Sequence, residues 1–181
     1  RPGELFINSI CLGCRLTINN NSKNAKRLTI LKKALIEKNL YDSKNAILGV
    51  SGGKDSTRQA LWLRDVLKIN PLLVSLNFPP GQVNERGCRN LSNLIEKGFN
   101  TLTISLSPIS WKKLMLHGFT NYGNWAKSTE QALYSCVPRL AINFNKPLIF
   151  NGEDPGLREA SVQDKNDGWN NNSLRNLNTL K

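Results

Sequence analysis

Acid is scarce in this chain. Among its 181 residues, 13 Asp plus Glu stand against 25 Lys plus Arg, a formal net charge of +12. An excess of this size suits polyanionic partners such as tRNA, nucleotides or an anionic membrane surface. The basic residues are scattered, however: Lys23, Lys26, Arg27, Lys32, Lys33, Lys38 and Lys44, then Lys112 and Lys113. Their spacing is that of the wet faces of helices, which weighs against a dedicated nucleic-acid track. Long apolar runs are missing too. Nothing approaches the ~20 consecutive apolar residues of a membrane-spanning helix, and no charged-then-apolar leader opens the chain, so a cytoplasmic protein with no membrane partner is expected. The first residues are Arg1-Pro2-Gly3 rather than methionine, and the chain reads as a piece of a longer one.

Histidine and cysteine are few. His117, between Leu116 and Gly118, is the only histidine and reads as structural. Four cysteines without a leader argue for a reducing compartment and against a disulfide scaffold. Cys11-Leu12-Gly13-Cys14 supplies half of a tetrahedral thiolate site. A Zn²⁺ there needs an upstream pair, or Cys88, Cys136 or His117, to close the set; otherwise the two thiols are inert. Cys88 and Cys136 each read as small apolar residues rather than as sulfur-transfer nucleophiles. No internal repeat is present, and neither is a Rossmann GxGxxG.

What is present is an alternation of strand-like and helix-like stretches. Residues 1–24 are rich in Asn, Gly and Pro and read as a small cysteine-containing appendage; 25–160 read as the main domain, and 161–181 as an Asn-rich tail, disordered or the start of a further segment. Leu28, Leu31, Leu35 and Ile36 form a helical stripe, expected to pack on the sheet edge. Strands are expected over 45–50, 71–78, 101–106 and 147–151, with helices over about 55–69, 85–97 and 128–144. Ser128 with Gln131 suggests a capping-box start for the last helix, Pro138 a kink within it, and Gly98 a stop for the helix before. Residues 108–127 read as irregular. Their aromatic side chains, Trp111, Phe119, Tyr122 and Trp125, suit either stacking on a sugar or base or plain core or lid packing. Nearly continuous apolar strands alternating with helices imply an α/β fold, a doubly wound and mainly parallel sheet. Ligands of such sheets sit beyond the carboxyl ends of the strands. Three polar clusters are expected there: Ser51-Gly52-Gly53, Asn77-Phe78-Pro79, and Asn151 through Gly156.

The first cluster carries the strongest signal. The apolar run Ala46 to Val50 breaks at Ser51-Gly52-Gly53 and gives way at once to Lys54-Asp55-Ser56-Thr57 in a helical pattern. Paired glycines let backbone N–H groups approach an anion at the positive end of a helix dipole. Lys54 adds a full charge, and the hydroxyls of Ser51, Ser56 and Thr57 add donors. It is not a Walker A loop: Leu48 stands where the first glycine belongs, and Asp55 follows the lysine. In the last cluster Glu153 and Asp154 would repel a triphosphate alone, so their use is to hold Mg²⁺ together with Asp55. The bland alternative is a surface turn, since Asp-Pro-Gly is good turn chemistry.

Ser-Gly-Gly-Lys-Asp-Ser after an apolar strand resembles the pyrophosphate loop of the N-type ATP pyrophosphatase superfamily, of the adenine nucleotide alpha hydrolase-like (HUP-like) fold. The ordered set around it is similar to the N-acetyl sugar amidotransferase family of bacterial surface-polysaccharide biosynthesis, the group that includes WbpG and PseA. The matching residues are Cys11 to Cys14, Gly49 to Ser56, Asn84 to Leu91, Gly118-Phe119, Tyr122 to Asn124, Thr129-Glu130, Pro138 to Ala141, Pro147 to Ile149 and Gly152 to Gly156. An earlier cysteine pair and a C-terminal portion of that family are not matched. The resemblance implies attack of an acetamido or carboxylate oxygen of a nucleotide-linked sugar on the α phosphate of ATP, then displacement of AMP by ammonia from a separate glutaminase. It places pyrophosphate on Ser51, Gly52 and Gly53, charge neutralisation on Lys54, Mg²⁺ on Asp55 and Glu153, and further ATP contacts on Ser56, Asn77 and Gly152. Lys54 and Asp55 are the expected catalytic residues. Two rivals share the loop: a tRNA-modifying enzyme of thiolation or lysidine type, and a nucleotide-binding piece without turnover.

Overall fold

The computed structural model describes residues 6–7, 10–11 and 26–151. They fall into two compact units, one holding 6–7, 10–11 and 26–41, the other 42–151. In the first, strands β1 (Phe6–Ile7) and β2 (Ile10–Cys11) form an antiparallel pair. Helix α1 covers 26–37, with Leu35 buried and Ile36 62% exposed, so Ile36 falls off the buried side of the expected stripe.

The second unit is built on a four-stranded parallel sheet. Its strands are β3 (Ala46–Gly49), β4 (Leu72–Asn77), β5 (Thr101–Ser105) and β6 (Leu148–Asn151), in the spatial order β5-β4-β3-β6. Between them run α2 (Lys54–Asp65), α3 (Glu85–Glu96), α4 (Pro108–Tyr122) and α5 (Ala126–Asn143). The expected α/β class and parallel sheet are therefore present. β3 pairs with β4 through Ile47 and Leu72, and with β6 through Ala46 and Leu148. From β3 the chain winds outward to β5 and then returns to the other side of β3. The order reverses at that strand, and a crevice opens at its carboxyl end.

Ile47 and Val74 pack with Val137 and Ala141 of α5, closed in by Leu72, Leu102 and Leu140. Leu48 and Leu73, next along their strands, point to the opposite face and are also fully buried. Central strands buried on both faces explain the unbroken apolar runs of the sequence. The edge strands differ: Thr103 and Ser105 of β5 and Ile149 of β6 are exposed, so the expectation of continuous burial holds for β3 and β4 only.

Two element boundaries correct the sequence reading. Residues 108–122, expected to be irregular, form α4. Pro108 sits at its first positions, where a proline costs no hydrogen bond, and the Ser107 side chain accepts from Ser110 N at 3.2 Å. Gly123 ends it in the left-handed region, φ 63°. The last helix begins at Ala126, and Ser128 is a buried residue inside it; the Asn124 side chain accepts from Ala126 N at 3.0 Å instead. Gly98 does follow α3 in a left-handed conformation, φ 87°, as a helix stop requires.

Candidate active site

β3 hands over to α2 at Ser51-Gly52-Gly53. Val50 N still donates to Val74 O at 2.8 Å, so the chain leaves the sheet only at Ser51. Gly52 then adopts φ 74°, open mainly to glycine, and lies buried against α3: a Cβ there would stand 2.9 Å from the Asn90 Cβ and 3.0 Å from its carbonyl carbon. Gly53 is the N-cap of α2, extended and half-buried, and supplies no side-chain cap. The first amides of the helix are thus left to an outside acceptor, at the end where the dipole is positive. A weak contact of 3.4 Å from Gly53 N to Ser51 Oγ is the loop's own contribution.

The loop is tied from below. Ser56 Oγ donates to Gly53 O at 3.2 Å, Thr57 Oγ1 to Gly52 O at 3.3 Å, and Thr57 N to Gly53 O at 3.0 Å. These bonds fix the carbonyls inward, which turns the amides outward. Ser56 is buried, its hydroxyl donates to Gly53 O, and it is one of the residues that line the cavity beside the turn. Lys54 and Asp55 are exposed in the first turn. Asn77, at the end of β4, accepts from Ser75 Oγ at 2.9 Å. Gly152 and Glu153 lie outside the described residues, as does Cys14, and among the described residues no three His, Cys, Asp or Glu side chains gather as metal ligands. Asp55 is an exposed carboxylate, the kind of hard oxygen donor that suits Mg²⁺, and uncapped amides beside a lysine are the kind of donors that suit a phosphate.

A cavity of about 100 Å³ opens beside this turn. Gly49, Val50 and Ser51 of the β3 end, Leu76 of β4, Asn151 of β6 and Leu133, Tyr134, Cys136 and Val137 of α5 line it. The first and last polar clusters of the sequence therefore meet here, through Ser51 and Asn151. Its apolar wall was not expected from sequence, although 133, 136 and 137 recur at helical spacing and Cys136 was already in view. Gly49 lets the wall come close, since a Cβ on it would meet Val137 Cγ2 at 2.9 Å. Burial pushes the Cys136 thiol above its ordinary pKa, so it stands there as a neutral group. Cys88 is exposed on α3 and is not among the cavity's residues. His117 is held structurally, its Nδ1 3.0 Å from Ser128 Oγ and its ring edge-on to Tyr122.

The chain is a parallel α/β protein of the N-type ATP pyrophosphatase superfamily, with the Ser51-Gly52-Gly53 turn at the topological switch point of its sheet. The NAD synthase family model matches residues 25–132, more than half of the sequence, and the chain belongs to that family. It is accordingly of the ATP-dependent, C–N bond-forming amidating kind. Among solved structures it is similar to NAD+ synthetase from Burkholderia pseudomallei, at 16% identity over 83% of this chain and 79% of that one, with a TM-score of 0.37. No curated protein matches it in sequence. Among the described residues no helix is long and apolar enough to cross a membrane.

Proposed function

We propose that this protein amidates a nucleotide-linked sugar at the expense of ATP, as in the N-acetyl sugar amidotransferases of surface-polysaccharide biosynthesis, working in the cytoplasm. The observation that carries the reading is the uncapped N-terminus of α2, presented by a glycine turn beside an apolar cavity. A nucleoside triphosphate needs that order of surfaces: amides and Lys54 for the phosphates, an apolar wall for the base. ATP is a substrate. An acetamido or carboxylate oxygen of the acceptor attacks its α phosphorus, pyrophosphate leaves, and ammonia then takes the place of AMP. Ser51, Gly52 and Gly53 align the phosphates and Lys54 balances the charge that develops on them. Mg²⁺, when bound, supplies further neutralisation, and Asp55 and Glu153 are the carboxylates proposed to hold it. The ammonia comes from a separate glutaminase. Membership of the NAD synthase family favours a small-molecule acceptor over tRNA.

The deciding measurement is pyrophosphate release from ATP. Nucleotide sugars plus ammonia are expected to stimulate it, bulk tRNA plus a sulfur donor to leave it unchanged, and Lys54→Ala to abolish it. Stimulation by tRNA alone would overturn the reading.

A further inference from the structure

Along α4 runs a second cavity, of about 500 Å³, whose walls include Gln82, Trp111, Lys112, Leu116, Phe119 and Trp125. We propose that it is a subsite for a ring that carries an adjacent anion, and that it holds this part of the acceptor, a nucleotide-linked sugar; the assignment of an acceptor rests on the phosphate-loop reading above.

Three observations converge on it. The first is the aromatic wall. Trp111 is 3% exposed and fixed by Phe78, whose ring meets it edge-on at 5.1 Å, whereas Phe119 and Trp125 are 62% and 54% exposed. Buried Trp111 is the fixed floor, and the two open aromatic side chains, Phe119 and Trp125, supply the faces on which a ring can stack. The second is charge. Among the described residues Lys112 is the one charged side chain lining the cavity and no carboxylate lines it, so the field there favours an anionic ligand. The third is position. Gln82 follows β4, and Trp111 and Lys112 lie in the first turns of the helix that follows β5. Part of the hollow's wall therefore starts from the carboxyl ends of β4 and β5, the end of the sheet at which the Ser51-Gly52-Gly53 turn also lies.

The test is quenching of tryptophan fluorescence of the full chain by UMP and by UDP-N-acetylglucosamine. Saturable quenching is expected, weakened about tenfold in Phe119→Ala and about fivefold in Lys112→Ala, while the calorimetric affinity for ATP stays unchanged in both. Both substituted side chains are exposed, so the variants keep the fold. Quenching by both probes places the base in the hollow, and quenching by the sugar nucleotide alone places the pyranose there. Either result supports the subsite. Quenching by neither probe, or equal affinity in wild type and both variants, overturns it. Loss of ATP binding with the probe response intact counts against the phosphate-loop reading alone.

Discussion

Gly52 and Gly53 are adjacent but do different work. Gly52 holds φ 74° with Asn90 against it, so Gly52→Ala combines left-handed strain with a backbone clash and is expected to cost at least about 2 kcal/mol in a denaturant titration. Gly53 has φ −69°, and a Cβ there meets only Ser51 Oγ at 3.4 Å. Gly53→Ala should keep stability within about 0.5 kcal/mol, yet weaken ATP binding measured by calorimetry, because the methyl would cover the amides. Cys136 offers a second test at this scale. Burial raises its thiol pKa, so at neutral pH iodoacetamide should label exposed Cys88 first and Cys136 slowly, with ATP slowing it further. The sign of the linkage follows: the folded state prefers the neutral thiol, so this contribution to stability is present at neutral pH and is lost as pH rises past the ordinary thiol range.

At the scale of elements, the α4 to α5 corner is closely packed around Gly118. A Cβ on Gly118 would stand 2.6 Å from Asn124 O and 3.1 Å from Trp125 O, both main-chain atoms that cannot swing aside. Gly118→Ala should cost about 2–3 kcal/mol, seen as a lower urea midpoint at unchanged slope. This corner is also where the sequence misleads. Pro108 and the scattered Gly, Thr and Asn of 108–122 look like a loop, but Pro108 sits in the first turn of α4, where its missing N–H costs no hydrogen bond. Ser128 and Gln131 imitate a capping box while the chain has already turned helical. By contrast the strand, Gly-Gly and Lys of 46–54 were legible because that signal is local: a buried strand, a turn that needs glycine and a helix start all follow in nine residues. The apolar wall of the neighbouring cavity was not, since its residues come from α5, more than eighty positions later, and only tertiary packing brings Leu133 and Cys136 to Ser51.

For the whole molecule, charge is the property to test. Residues 42–151 carry many more basic than acidic side chains, and the acids are partly spent in local pairs, Asp42 with Lys44, Asp65 with Arg64 and Glu85 with Arg89. Such a surface attracts any polyanion weakly. Binding of bulk tRNA is expected to fade between 50 and about 200 mM salt, without base preference, and pyrophosphate release should not follow it.

The pairing of β3 with β6 has a consequence in time. One flank of the strand that bears the loop meets its partner only when residues 148–151 have left the ribosome, about a hundred positions after Ala46. Until then nascent chains expose an open, apolar β-edge at the heart of the future sheet, a template for mispairing between molecules. Non-local closure of this kind is slow. Among the described strands, the one that completes the crevice beside the Ser51-Gly52-Gly53 turn is the latest to be made.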